Sequence, residues 1–278
     1  MSVDISRKEY VPIVMHSLGG LQLIVFATKR TMLHRLDYVS VADVACGVGN
    51  VFHNKGAIGA FIGAKGFHGD HLDGERQRKL LLVSSHLAAH ASKTEDRNQN
   101  YWRILEELEE QAPPRFLYLQ KKIVKSKRNG RIGQSSFSHQ LLDAADCIVW
   151  GGDLNYRLDL PREFCEKQVL EILSANEGRN CDYRSLLVHD QLNRVRSAGY
   201  AFSGFQEGRI SFPPTFKFDK NNNIYDSSHK KRVPSWTDRI LFRFDPSLLS
   251  VQVMEYKSFR NVDQSDHRPV CATLKITL

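Results

Sequence analysis

Apolar residues come in short runs through the first third of the chain, with turn residues between them. VPIVMHS (11–17), GLQLIVFATK (20–29), YVSVADVAC (38–46), AIGAFIGAK (57–65) and KLLLVSSHL (79–87) each have strand length and strand composition. Gly19 and Gly20 between the first two predict a tight hairpin turn. Residues 66–78 are polar and Gly-rich and read as an exposed loop. The period then changes. Across 93–110, Tyr101, Ile104, Leu105 and Leu108 fall on one helical face. A second helix is expected near 116–125, ending in the basic run KSKRNGR. That run reads most simply as a solvated loop, with a membrane-facing role as the alternative. DCIVWGG (146–152) reads as a buried strand, and 161–174 as a helix opened by Pro161. RILFRF, SVQVMEY and RPVCATLKI supply three late strands. Residues 199–232 have little periodicity, and so long a loop in a compact domain is usually functional. Blocks of strands with helices between them predict mixed sheets packed on each other, helices outside, in one domain over 1–278.

Composition narrows the class. The chain has 278 residues, enough for a sizeable core, and a net charge of +8. A basic balance favours anionic partners: nucleic acid, acidic membrane or phosphorylated small molecules. The five cysteines are scattered and form no CxxC, which argues against a disulfide framework or a zinc site. The polar first residues show no signal peptide, and no apolar run reaches the roughly 20 residues that span a bilayer. Charge alone does not choose among these anionic partners, but no basic groove interleaved with aromatics is evident, so the expectation is a cytoplasmic monomer that visits membrane surfaces, without nucleic acid.

Four strand ends carry unusual polar groups. SSHLAAH places His86, GGDLNYR places Asp153 and Asn155, VPSWTDRIL places Asp238, and QSDHRPV places Asp266 and His267. Singly, each has a plain reading as a turn cap or a structural histidine. Together, at ends that a mixed sheet brings to one edge, they suit attack of water on a phosphate ester. A carboxylate accepts the water's proton, and a histidine held by an aspartate stays protonated to stabilise phosphoryl charge. A divalent cation, typically Mg²⁺, is usually needed beside so anionic a substrate.

WGGDLNYR, VPSWTDRIL and SDHRPV resemble the signature motifs of the inositol polyphosphate 5-phosphatases, of the DNase I-like metal-dependent phosphoesterase superfamily. NKGAIG (54–59), RNQNYWRIL (97–105) and PTFKFD…YDSSHKKR (214–232) match in order and spacing, so the resemblance covers nearly the whole chain. It implies an α/β (α+β) fold, a four-layer sandwich of two mixed sheets flanked by helices. It implies Asp153 as the base on the attacking water, Asn155 as a holder of that water or of a phosphoryl oxygen, and His86 on the scissile phosphate. It pairs Asp238 with His267, puts Asp266 near the metal, and has Arg239 support the site from behind. Arg157 would extend the substrate-facing side. Lys217, Lys230 and Arg232 would hold an inositol 4-phosphate; three converging cations suit a second phosphate on their own chemistry, a solvated basic loop being the plain alternative. Phe216 stands where the family commonly has Tyr, and the absent phenol hydrogen bond would cost about 0.5–1.5 kcal/mol of binding.

The resemblance also implies two strands before the first residues here, the second carrying the principal Mg²⁺ ligand, a Glu. Glu9 aligns downstream of that ligand. A fragment and a form without the metal site are both open readings. Either way, weak hydrolysis and one sheet with unpaired edges are expected. The activity expected of the family is removal of the 5-phosphate from phosphatidylinositol 4,5-bisphosphate or related inositol phosphates. A silent phosphoinositide-binding module is the second reading, and a nuclease of the same superfamily the third.

Overall fold

The computed structural model describes residues 9–47, 54–65, 77–117, 140–175 and 181–277. Its centre is a six-stranded mixed sheet in the order β3-β4-β5-β6-β8-β7. The strands are β3 (Leu36–Ala45), β4 (Gly56–Ala64), β5 (Arg78–His86), β6 (Cys147–Asp153), β7 (Gln206–Glu207) and β8 (Asp238–Phe244). Only β5 and β6 pair in parallel. A parallel pair needs a crossover, and the helix α1 (Thr94–Gln111) provides it. β4 is buried along its whole length, and its Gly/Ala-rich sequence admits close packing on both faces.

α1 follows its predicted period. Tyr101, Ile104, Leu105 and Leu108 are fully or almost fully buried in the first core, with Trp150 of β6 and Phe202. No side chain caps its N-terminus, but Glu95 and Asp96 in the first turn complement the helix dipole. It stops before Pro113 and Pro114, as the restriction on residues preceding proline requires. Short helices α2 (Pro114–Leu117) and α3 (Gln140–Ala144) pack beside it. Of the helix expected near 116–125, only its start falls inside the described residues, in α2. The basic run at 125–131 and most of the loop expected at 66–78 lie outside them.

Two antiparallel ribbons cover the other face of the sheet: β1 (Tyr10–Leu18) with β2 (Leu21–Thr28), and β9 (Ser250–Ser258) with β10 (Val270–Thr277). The first turns over two residues as predicted, with Gly19 at φ 58°, a region glycine enters without steric cost. A second core joins the β9–β10 ribbon to α4 (Arg162–Ala175) and α5 (Arg184–Leu187) around Trp236, Tyr183 and Cys165. The helix α6 (Gln191–Ser197) starts at Asp190, whose carboxylate accepts from Asn193 N. Sequence periodicity does not find α5, α6 or β7, which are too short to show a period. Among the described residues no helix is long and apolar enough to cross a membrane.

Within the described residues β2 and β10 each pair with one strand only, and the ribbons are not hydrogen-bonded to each other. Between them lies a cleft of about 590 Å³ floored by β5, β6 and β8. The ribbon also exposes Met15, Ile24 and Phe26. Exposed apolar side chains beside a free strand edge favour edge-to-edge association.

Gly152 fixes how β6 meets β5. Its φ is +134°, and a Cβ there would sit 2.0 Å from the Ser85 carbonyl oxygen. Two measurements test these features. Phe26→Lys is expected to reduce concentration-dependent association in light scattering while leaving the unfolding midpoint nearly unchanged; unaltered association would show that this edge is not the sticky one. Gly152→Ala is expected to cost about 1–3 kcal/mol in denaturant unfolding, through the forced contact and the unfavourable φ; wild-type stability would rule out the close approach.

Candidate active site

Strand register assembles the site. In the parallel β5–β6 pair His86 lies opposite Asp153, and in the antiparallel β6–β8 pair Asp153 lies opposite Asp238. On the other side, His86 pairs with Gly56 of β4, the residue after Lys55. Four strands therefore bring an ammonium, an imidazole and two carboxylates to one sheet edge. The loop before β10 adds Asp266 and His267. The pocket over this edge holds about 480 Å³, within the range of small-molecule sites. Of the residues singled out from the sequence, Asp238 and Arg239 alone do not line it.

Asp153 is the pocket's central carboxylate. One oxygen accepts from Asn155 N at 3.1 Å; the other accepts from Asn155 Nδ2 at 3.0 Å and lies 3.1 Å from His86 Nε2. Burial pushes its pKa up, but the His86 hydrogen bond and the charges of His267, His86 and Arg157 outweigh it and hold the carboxyl below its ordinary value. It is ionised at neutral pH. Lys55 Nζ touches His86 Nε2 from the β4 side. Burial lowers the Lys55 pKa, against the pull of Asp153. Lys55 belongs to the NKGAIG motif, which is the signal in the sequence that marks its position.

Asn155 and Arg157 sit differently from expectation. The strand ends at Asp153, and Asn155 takes φ 59°, so strand alternation no longer governs which way its side chain goes. Asn155 is buried, and its amide donates to Leu87 O and Asp153. Both amide hydrogens are engaged, so Asn155 orients Asp153 and has none left for a phosphoryl oxygen. Arg157 likewise turns inward. Its Nε donates to Asn155 O at 3.1 Å, Nη2 bonds Asn155 Oδ1, and the guanidinium lies 4.0 Å from the Phe216 ring centroid. It braces Asn155 and forms part of the pocket wall. The other side of that wall is the His267 ring, 4.5 Å from Phe216. Phe216 thus packs against the Arg157 guanidinium, a favourable use of an aromatic face, and against the His267 ring.

His267 Nδ1 faces both oxygens of Asp238, at 2.9 and 3.1 Å, which turns its Nε2 toward the pocket. Burial opposes its charge, yet the hydrogen bond and charge of Asp238, with Asp153 and Asp266 beyond, raise its pKa. Asp238 is itself fixed by the hydroxyls of Thr215 and Thr237, each donating at 2.9 Å. These two threonines carry no motif-independent signal in the sequence. Behind them Arg239 is fully buried, bidentate to Glu207 at 2.7 Å and bonded to both oxygens of Asp190 at 3.0 and 3.1 Å. Burial works against that guanidinium, and the two carboxylates restore its charge, leaving its pKa well above the ordinary value.

Lys217, Lys230, Lys231 and Arg232 line the opposite side of the pocket. Lys217 Nζ is 3.0 Å from Asp266. Asp266, expected beside a metal, thus faces an ammonium, and it lies outside the carboxylate cluster. The Lys217 hydrogen bond and charge outweigh burial and lower its pKa.

Oxygen and nitrogen atoms of Asp153, Asp238 and His267 lie within 4.8 Å of one another, a spacing that could hold a metal ion. The donor chemistry restricts this. Asp153 and Asp238 each already have three polar partners, and of the two Asp153 is the carboxylate that lines the pocket and can meet a bound ion. That fits a hard cation of the Mg²⁺ kind, which takes one or two carboxylates and completes its shell with phosphate oxygens and water. It does not fit an all-protein cage.

Residues 2–273 match the family model of the endonuclease/exonuclease/phosphatase family 2. Synaptojanin of Caenorhabditis elegans is 31% identical over 270 residues, 97% of this chain and 20% of that protein. Inositol-1,4,5-trisphosphate 5-phosphatase 1 of Schizosaccharomyces pombe is 32% identical over 271 residues, 97% of this chain and 20% of that protein. The chain therefore spans about a fifth of the length of these curated relatives. The inositol polyphosphate 5-phosphatase domain of SPsynaptojanin, solved with inositol (1,4)-bisphosphate and calcium ion, superposes with a TM-score of 0.66. It is 30% identical, and the match covers 99% of this chain and 66% of that one. Cimex nitrophorin reaches a TM-score of 0.62 at 21% identity, with 97% of this chain and 75% of that one covered, a likeness of fold alone. With its matched family model, its DNase I-like architecture and its 5-phosphatase motifs in one pocket, the chain belongs to the endonuclease/exonuclease/phosphatase family.

Proposed function

We propose that this chain is the catalytic part of a Mg²⁺-dependent phosphatase that removes the 5-phosphate from phosphatidylinositol 4,5-bisphosphate and related inositol polyphosphates, working at the cytoplasmic surface of membranes. The observation that carries the reading is the juxtaposition in one pocket of two groups. One is the Asp153–His86–His267 edge, suited to a reacting phosphate. The other is the Lys217–Lys230–Arg232 wall, suited to a second phosphate that does not react. The names of the relatives support the substrate class.

Asp153, held ionised by its neighbours, orients a water and accepts its proton as the water oxygen bonds to phosphorus and the P–O bond to the inositol ring breaks; the departing ring oxygen takes up a proton from solvent water. His267, protonated against Asp238, donates from Nε2 to a phosphoryl oxygen as charge builds there. His86 and Lys55 face the same phosphate from β5 and β4. Asn155 and Arg157 hold Asp153 in place. A bound Mg²⁺, held by Asp153 together with substrate oxygens, would neutralise the anionic ester enough for water to approach. The wall of cations anchors the ring, and Arg232 offers planar, directional donors to the second phosphate.

A binding module without turnover is the second reading. The observation favouring it is that, of the two carboxylates in the cluster, Asp153 alone lines the pocket, a sparse ligand set for a cation. Titration of soluble headgroup, read by calorimetry alongside phosphate release, separates the two: binding with Mg²⁺-dependent release supports the phosphatase, and binding alone supports the module.

Asp153→Ala is expected to abolish phosphate release while headgroup binding persists; surviving turnover would refute the role given to Asp153. The pair of His267 and Asp238 has a pH signature. Because the folded pKa of His267 is raised, its stabilisation is complete below the unfolded value of about 6.5 and fades as pH rises through the folded value. The stability difference between wild type and Asp238→Asn should therefore be widest at low pH and narrow on the alkaline side. A difference that is flat with pH would show that His267 is not charged against Asp238.

A further inference from the structure

The basic wall of the pocket is assembled on a buried acid. Asp226 has no exposed surface. Its Oδ2 accepts from Arg232 N at 2.9 Å and from Arg232 Nη1 at 3.2 Å. Its Oδ1 accepts from Ser228 N at 3.3 Å and from the Ser228 hydroxyl at 2.5 Å. Its own N–H donates to Lys217 O at 2.9 Å, so the same residue joins the Arg232 segment to the Lys217 segment. Its carbonyl accepts from Arg162 Nη1 at 2.8 Å, and Arg162 also grips Tyr225 O at 3.0 Å and Arg232 O at 3.2 Å. Arg162, at the start of α4, thereby closes the loop from behind.

We infer that Asp226 is a positioning residue for the second phosphate, its carboxylate acting through Arg232 to fix the orientation of the guanidinium that holds it. The inference rests on the reading of this pocket as a headgroup site.

The physical argument has three steps. Lys230, Lys231 and Arg232 are consecutive cations whose mutual repulsion, and whose rotamer entropy, favour splaying into solvent. Asp226 opposes this at Arg232. It takes one edge of the planar guanidinium and the backbone N–H of the same residue, which leaves the other donors in a defined direction. Arg232 remains about a third exposed at the pocket, whereas Asp226 has no accessible surface, so any effect of Asp226 on a ligand passes through its partners. The Ser228 and Arg232 hydrogen bonds outweigh burial and hold the Asp226 carboxyl at about 2, so this support is in place throughout the physiological range.

The sign of one substitution separates positioning from bulk charge. Asp226→Asn removes a negative charge beside an anion site. On charge alone, anion binding should tighten. If Asp226 sets the geometry, binding should weaken despite the more positive pocket. The experiment is calorimetric titration of inositol 1,4-bisphosphate and inositol 1-phosphate against four proteins: wild type, Asp226→Asn, Arg232→Gln and the double variant. Asp226→Asn is expected to weaken the bisphosphate about tenfold and to leave the monophosphate within about twofold. In the Arg232→Gln background, Asp226→Asn should add no further loss, the behaviour of two residues acting in one interaction. Unchanged or tighter bisphosphate binding in Asp226→Asn overturns the inference, as does a full additional loss in the double variant. If Asp226→Asn does not fold, Ser228→Ala takes its place. It should weaken the bisphosphate selectively and to a smaller extent, and an unaltered preference overturns the inference. A wild type that binds both ligands equally overturns instead the assignment of the cationic wall to a second phosphate.

Discussion

The parallel pairing of β5 with β6 is the constraint on which the site depends. It places His86 opposite Asp153, and the next pairing places Asp153 opposite Asp238. A slip of one residue in either pairing would turn every side chain of the moved strand to the other face. The register is held by packing on both sides of the row. Trp150 donates from its buried Nε1 to Ser85 Oγ at 2.8 Å, and Gly152 allows a backbone contact with Ser85 that no side chain could share. The chemistry at the sheet edge is thus specified by groups one to three residues away that never touch the pocket.

Charge compensation is the second organising feature. The chain is strongly basic, yet several pocket cations meet a neighbouring acid or aromatic group. Lys217 meets Asp266, Arg232 meets Asp226, His267 meets Asp238, and Arg157 lies on Phe216. Pairing of this kind keeps a cluster of positive groups ordered at modest cost. The paired cations retain donors toward the pocket, so a phosphate meets groups that are already oriented. Behind the pocket, Arg239 with the fully buried Asp190 and the mostly buried Glu207 carries the same principle inward.

Much of this was legible in the sequence. Strands with a clear apolar run, and the i, i+3, i+4, i+7 face of α1, are visible because burial imposes a period over many residues. The motif residues at strand ends identify the pocket because their chemistry is unusual there. The differences are local. The resemblance puts Asn155 on the water or a phosphoryl oxygen and Arg157 on the substrate-facing side, but the strand ends at Asp153 and a left-handed residue follows, so both side chains turn back onto the protein. The resemblance puts Asp266 near a metal, whereas in the structure its partner is the Lys217 ammonium. The short helices and β7 have no period to detect, and the segment from 199 to 232 takes its shape from tertiary hydrogen bonds such as those of Arg162 to Asp226 O and Arg268 to Asn222 O.

The row across β4, β5, β6 and β8 has a further consequence, in the order of events during folding. Lys55, His86, Asp153, Asp238 and His267 are spread over most of the chain, and the parallel step between His86 and Asp153 encloses the whole of α1. Bringing such distant segments together demands closing long loops before any contact rewards it, which is the slow part of assembling a mixed sheet. The pocket has no local precursor: a hairpin or a helix of this chain formed alone contains at most a fragment of it. Ligand affinity and the global folding equilibrium are therefore linked. A headgroup that binds only the assembled edge draws its free energy from the completed topology, and in return stabilises every strand that the row ties together.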